Sequence, residues 1–201
     1  MAHSDDEIDQ DPATPLGALM ARAAELGGGA APVERWNPED CGSIPMRIAA
    51  DGTWYYNGTP ILRDRLVRLF ASVLRREPDA SFVLVTPVEK VTIEVDDAPF
   101  VAVELVAGGE GKDMTLTLRT NVGDVVTVDA EHPLRVAIED GTGGFVPYVT
   151  VRGGLEARLT RPAALELAEL AADSPRMDGR IGAWSAGTFF PLDHDSDGHT
   201  V

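Results

Sequence analysis

Few side chains in this sequence have the type and spacing for chemistry. Cys41 is the lone cysteine, and with His132 and a carboxylate it could form a thiol triad. No signature surrounds it, and a single cysteine is usually inert and buried. The chain contains no G-x-S-x-G elbow and no H-E-x-x-H metal motif. "GGEGKD" (108–113) ends in Gly-Lys, but no Ser or Thr follows the lysine. It also lies between two strand-like segments, whereas a phosphate-binding loop opens a helix, so it reads as a hairpin loop. No catalytic residue is assigned, and nothing calls for a cofactor.

Asp193, Asp195, Asp197 and Gly198 match the first half of a calcium loop. That loop needs a glutamate six residues after the glycine, and the sequence stops before it. The stretch therefore reads as a solvated acidic tail, and no metal site is assigned. Glu89 and Lys90 follow a strand-breaking proline in "TPVEK" and are expected to form a structural ion pair with each other or with Arg63.

The arginines suggest binding. Arg63, Arg65, Arg68, Arg75 and Arg76 crowd one short stretch of a chain with 17 basic residues in all. A solvated helix face accounts for them, with Arg75 and Arg76 complementing a helix C-terminus. An anion site accounts for them too, because the guanidinium fork matches carboxylate and phosphate. Beside Arg63 lies "WYYNGTPI". Trp54 and Tyr56 fall on one face of a strand and Tyr55 on the other. The expected ligand site has Trp54 and Tyr56 as walls and Arg63 and Arg47 as anion clamps.

The elements that must position these residues are legible from pattern. Thr14-Pro15 followed by Leu16, Leu19, Met20, Ala23 and Leu26 predicts a short N-terminal helix, docked on the body or held out for a partner. "MRIAADGTWYYNGTPI" predicts two strands with an Asp-Gly and an Asn-Gly turn. Leu62, Leu66, Leu69, Phe70 and Val73 predict an amphipathic helix from Arg63 to Arg76, ended by Glu77-Pro78-Asp79. "FVLVTP", "VTIEVDD", "FVAVELV", "MTLTLRT" and "DVVTVDA" predict strands. "FVPYVTVRGGLEARLTRPAALELAELAA" then repeats the order of hairpin, arginine and helix, so Arg161 falls opposite Arg63. This suggests a duplicated hairpin–helix–strand unit.

Four of these blocks carry a family resemblance: "WNPEDCGSIPMRI", "DGTWYYNGTPILRDRLVRLFASVLRRE", "LVTPVEKVTIEVDDAPF" and "TNVGDVVTVDAEHPL". In them the sequence resembles the bacterial domain-of-unknown-function family 1285, over roughly residues 35 to 192. The resemblance implies an α+β fold with two similar lobes, and a role in signalling or small-ligand sensing. It implies no established reaction and carries over no catalytic residue.

Composition bounds the rest. The chain has 201 residues, 44% apolar and 25% charged, ordinary for a globular protein. Seventeen basic against 33 acidic residues give a net charge of −16. Such a surface argues against nucleic acid as partner. No apolar run is long enough for a membrane helix, and the acidic, polar start does not read as a signal peptide. The expected location is cytoplasmic. Fifteen arginines against two lysines, with abundant Ala and Gly, suggest a GC-rich bacterial genome.

The expected fold is α+β, with two similar small lobes, each a β-hairpin followed by a helix and further antiparallel strands. The expected division is an acidic start and short helix at 1–34, lobes at 35–107 and 108–192, and an acidic disordered tail at 193–201. The expected function is non-enzymatic ligand sensing or signalling through a small anionic ligand. The alternatives are a protein-interaction module using the Arg-rich or N-terminal helix, and more remotely an enzyme built on Cys41 and His132.

Overall fold

A computed structural model describes Gly17 and residues 21–24, 31–139, 141 and 143–193. The chain divides into two compact units. One runs to Ala49 and resumes at Thr53–Asp96; the other comprises Ala50–Gly52 and the chain from Asp97.

The first unit is a six-stranded sheet in the order β3-β2-β1-β6-β5-β4. Its strands are β1 (Asp40–Ile48), β2 (Trp54–Tyr56), β3 (Thr59–Pro60), β4 (Leu74–Arg76), β5 (Phe82–Val85) and β6 (Lys90–Val95). β1 pairs with β2 antiparallel and with β6 parallel. Asn57 and Gly58 take the positive φ values, 50° and 75°, that the tight β2–β3 turn requires. Helix α1 (Asp64–Ser72) lies between β3 and β4 in the chain.

Cross-strand register sorts the side chains of this sheet onto two faces. Ile48 opposite Trp54, with Leu84 opposite Val91, defines a mainly apolar face. Trp54 of this face stacks on Phe70 of α1 at 6.2 Å between centroids. The other face carries Val83 and Val85, covered by Val33, Ala31 and Trp36 of the N-terminal segment. Arg75 fixes that segment by donating to the carbonyls of Val33 (2.8 Å) and Trp36 (2.6 Å). Buried Arg75 is offset by Glu77, which accepts its Nε at 2.7 Å, as a desolvated cation requires.

The second unit repeats the topology. Its strands are β7 (Phe100–Gly108), β8 (Thr115–Thr120), β9 (Val125–Thr127), β10 (Leu134–Ile138), β11 (Phe145–Arg152) and β12 (Leu155–Leu159). Their order, β10-β11-β12-β7-β8-β9, is the first sheet's pattern: two three-stranded meanders joined by a parallel pair, here β12 with β7. Helix α2 (Arg161–Asp173) follows β12, and a ribbon of β13 (Gly182–Ser185) and β14 (Thr188–Pro191) ends the unit. Ser185 ties that ribbon to the sheet region, accepting from the Leu116 amide (2.9 Å) and donating to the Val128 carbonyl (2.6 Å). The "GGEGKD" loop joins β7 to β8 as expected. Gly109 there has φ 75°, and a Cβ would fall 2.5 Å from the Asp113 carbonyl oxygen, so the loop demands glycine.

Four expectations are corrected. The protein is predominantly β, not an α+β repeat of hairpin, helix and strands: two lobes are present, but α1 follows the third strand of its sheet and α2 the sixth. Arg63 and Arg161 are therefore not topological equivalents. The first helix stops at Ser72 rather than Arg76, because Leu74–Arg76 pair with Phe82–Leu84 across a turn that places Ala80 at φ 68°; Leu62, assigned to its core face, is 81% exposed. The units divide at Asp96–Asp97 rather than 107/108, since β7 pairs with β8 and β12 and thus belongs wholly to the second sheet.

Near the N-terminus, residues 21–24 are helical, Ala23 is buried, and Arg22 forms an ion pair with Glu89. This matches the docked alternative for the N-terminal helix. Among the described residues no helix is long and apolar enough to cross a membrane.

The two-faced first sheet gives a test. Trp54→Ala removes a fully buried ring and is expected to cost about 3–5 kcal/mol in urea unfolding. Arg47→Ala removes only exposed contacts, an ion pair with Asp96 and a cation–π contact with Tyr55, and should cost about 1 kcal/mol. Equal losses would contradict the face assignment.

Candidate functional site

The residues expected to form a ligand site do not converge. Met46 lies opposite Tyr56, Arg47 opposite Tyr55 and Ile48 opposite Trp54. Directly opposed residues share a face and neighbours along a strand alternate. Trp54 and Tyr56 therefore share the apolar face, while Arg47 points away on the other. Trp54 is 1% exposed and is core, not the wall of a cleft; its indole Nε1 is buried without a hydrogen-bond partner. Tyr56 is half-buried. Arg47 donates to Asp96 at 2.6 Å and lies over the Tyr55 ring at 5.0 Å. Arg63 is exposed as the N-cap residue of α1.

A cleft exists elsewhere, within the second unit. It has a volume of about 740 Å³, in the range of small-molecule sites. It forms where β12 runs into α2. Thr160 is the N-cap residue, its amide bonded to the Ala102 carbonyl (3.0 Å) and its carbonyl to the Ala164 amide (2.8 Å). No side chain caps the helix. With Pro162 lacking an N–H, the amides of Arg161 and Ala163 have no intrahelical acceptor. The cleft's charged lining is Asp51, Glu139, Arg158 and Arg161, and Phe145, Val146 and Pro147 supply an apolar wall. Arg161 is exposed and has no ion pair among the described residues.

Arg158, by contrast, is held. Across β10, β11, β12 and β7 the register aligns Arg135, Tyr148, Arg158 and Val101 in one row on one face. Arg158 donates to Asp97 (3.0 Å) and reaches Glu139 (3.5 Å). The Tyr148 hydroxyl donates to the other oxygen of Asp97 at 2.9 Å. Arg135 lies over the Tyr148 ring at 4.2 Å and grips Glu156 through two 2.9 Å bonds, which push its guanidinium above its usual value. Burial and then the bond to Asp97 push the Tyr148 phenol up to about 12.

Sequence reasoning missed this site. It reached Arg161 only as a counterpart of Arg63, and did not single out Arg158, Thr160 or Phe145. The usable signal was "LTRPA", in which Thr160 and Pro162 mark a helix start directly after a strand.

The remaining candidates have plain roles. Cys41 is exposed, and its thiol faces the Glu39 carbonyl at 3.8 Å. His132 Nδ1 lies 3.0 Å from Asp129 Oδ1. The His132 backbone amide and then its ring hold the Asp129 carboxyl below its usual value. Glu89 pairs with Arg22 and Lys90 with Glu77 (3.6 Å), rather than with each other or with Arg63. Asp193 accepts from Arg180 at 2.9 Å; the rest of the calcium-like stretch, the acidic tail and residues 1–13, whose sequence reads as disordered, lie outside the described residues.

The Tyr148 shift makes a pH prediction. Its pKa is raised from 10.0 to about 12 on folding, so the folded state holds the proton longer. The resulting stability is complete below pH 10 and is lost as pH rises toward 12. Tyr148→Phe should cost about 1–2 kcal/mol at pH 8 and flatten the alkaline decline. Urea unfolding at a series of pH values up to 11.5 checks both; an unchanged slope would remove the hydroxyl–Asp97 bond from the account.

Comparison with known proteins agrees with the division into two units. Residues 31–98 match the model described as "Domain of unknown function (DUF1285), N-terminal domain". Residues 99–192 match "Protein of unknown function (DUF1285), C-terminal domain". No curated protein matches the chain. A crystal structure of a DUF1285 family protein from Silicibacter pomeroyi DSS-3 is 50% identical, with a TM-score of 0.80, covering 87% of this chain and 93% of that one. A second, from Shewanella baltica OS155, is 28% identical, with a TM-score of 0.50, covering 63% of this chain and 91% of that one. With the two family models matching residues 31–98 and 99–192, and 50% identity to a relative over 87% of this chain, the chain belongs to the DUF1285 family.

Proposed function

We propose that the protein is a non-enzymatic ligand-sensing protein that binds a small anionic ligand in the cleft of its second unit. The supporting observation is Arg161, a cation with no ion pair among the described residues, at the rim of a roughly 740 Å³ cleft and at an uncapped helix start. A guanidinium beside backbone amides that lack an intrahelical acceptor favours an anion. This moves the ligand from the hairpin of Arg47, Trp54, Tyr56 and Arg63, whose members face different ways, to a place where cation and cavity coincide. Binding there could report on metabolite level inside the cell, which is the signalling part of the reading.

One observation favours a protein-interaction role instead. Leu62 is 81% exposed beside Arg63 and Arg65, both exposed, a combination suited to an acidic partner with an apolar anchor.

A thermal-shift screen with small anionic metabolites tests the ligand reading. A hit present at a hundred times its Kd should stabilise the protein by about 2.7 kcal/mol. Its effect should fall to about half or less in Arg161→Gln, as a tenfold or greater loss of affinity requires, and persist in Arg63→Ala. A hit abolished by Arg63→Ala alone would return the site to the hairpin.

A further inference from the structure

The cleft's charge balance narrows the class of ligand, an inference that rests on the anion-binding reading above. Two cations line the cleft, Arg158 and Arg161, and so do two acids, Asp51 and Glu139. Arg158 is already shared between Asp97 and Glu139. Asp51 also has an interaction partner. Among the described residues one positive charge without an ion pair is left, that of Arg161. A ligand with one negative charge can be matched there. A di- or triphosphate would place its further charges near Asp51 and Glu139, where like charges repel. The chain's net charge of −16 adds a long-range penalty for polyanions.

The apolar wall constrains the other end of the ligand. Phe145 and Val146 open β11, and Val146 belongs to a buried cluster with Ala98 and Tyr148, Ala137 packing against it. Pro147 follows and also lines the cleft. Val146 and Pro147 are already buried and Phe145 is half-buried, so a fully hydrated ligand, such as a free inorganic anion or a sugar acid, leaves the Phe145 ring uncovered. An aliphatic or aromatic body covers it and gains from leaving water.

We propose that the cleft takes a small monocarboxylate with an apolar body, its carboxylate on Arg161, the Thr160 hydroxyl and the α2 amides, and its body against Phe145, Val146 and Pro147. The Arg158–Asp97–Tyr148 group acts as a fixed floor. Arg158 contributes shape and partial charge without being free to pair with the ligand fully.

Isothermal titration of the full chain with phenylacetate, hexanoate, acetate, inorganic phosphate and ADP tests this. Phenylacetate and hexanoate are expected to bind, acetate at least about tenfold more weakly, because each buried methylene contributes about 0.8 kcal/mol. Phosphate and ADP should give no saturable heat. Arg161→Gln should weaken phenylacetate about tenfold or more, the worth of a charge-assisted bond, and Arg161→Lys should restore part of it. Phe145→Ser should weaken phenylacetate but leave acetate unchanged. Because Arg161 is exposed, circular-dichroism melting should show its variants folded as the parent. If phosphate or ADP binds in an Arg161-dependent way and phenylacetate does not, the monocarboxylate class is overturned while the anion cleft stands. If no probe depends on Arg161, both are overturned.

Discussion

A parallel ladder joins the first strand of each six-stranded sheet to its last, β1 to β6 and β7 to β12. Without it each sheet would separate into two three-stranded meanders, each with an apolar face too small to bury itself. The ladder puts the two meanders edge to edge, so that one helix can cover a continuous surface. In the first unit, α1 comes between the meanders in sequence, and its Phe70 reaches Trp54 of the first meander. In the second, α2 comes after both, and its small buried residues Ala163, Ala164 and Ala171 permit close approach. The same sheet pattern thus accepts its helix at two different points in the chain.

The placement of α2 creates the cleft. β12 lies in the middle of its sheet, next to β7, and must hand the chain to the helix at that interior position. The hand-over brings Thr160 and Arg161 beside the opening residues of β11 and the end of the β10–β11 connection. An edge strand would leave such a junction in open solvent. Here the neighbouring strands wall it in, and Arg158 beside it is held by Asp97 within a row of Arg135, Tyr148 and Arg158. The row combines charge neutralisation with rigidity, the arrangement that limits the entropy lost when a ligand binds.

How much of this the sequence revealed depended on the range of the interaction. Asn57-Gly58 and Gly153-Gly154 announced their hairpins because turn geometry is decided by the turn residues themselves. The strands showed themselves by β-branched composition, and α2 by the order of hairpin, arginine and helix in its segment. The error at Leu74–Arg76 has a specific cause: Leu66, Leu69, Phe70 and Val73 sustain a helical period up to the point where pairing with Phe82–Leu84 takes over. The face Arg47 occupies was not legible because it depends on its register with Tyr55 across the sheet. The parallel pairings left no local mark, since partners such as Arg47 and Glu94 are far apart in sequence. The cleft was invisible for the same reason: Asp51, Glu139, Phe145, Arg158 and Arg161 come from separated segments, and only the last two lie within one helical turn of each other.

The parallel ladder also orders events during synthesis. β1 is among the first strands to leave the ribosome, yet its partner β6 is the last strand of its unit, so half of β1's hydrogen-bonding capacity waits for the chain to reach Val95. The wait recurs in the second unit, where β7 stays unpaired on one edge until β12 is made. Chains whose contacts span such distances fold slowly, because loop closure must precede the contacts that reward it. During that interval an unpaired edge of β1 or β7 is open to strands of other nascent chains. The feature that unites each sheet at the end is therefore the one that leaves it exposed to misassembly for longest at the beginning.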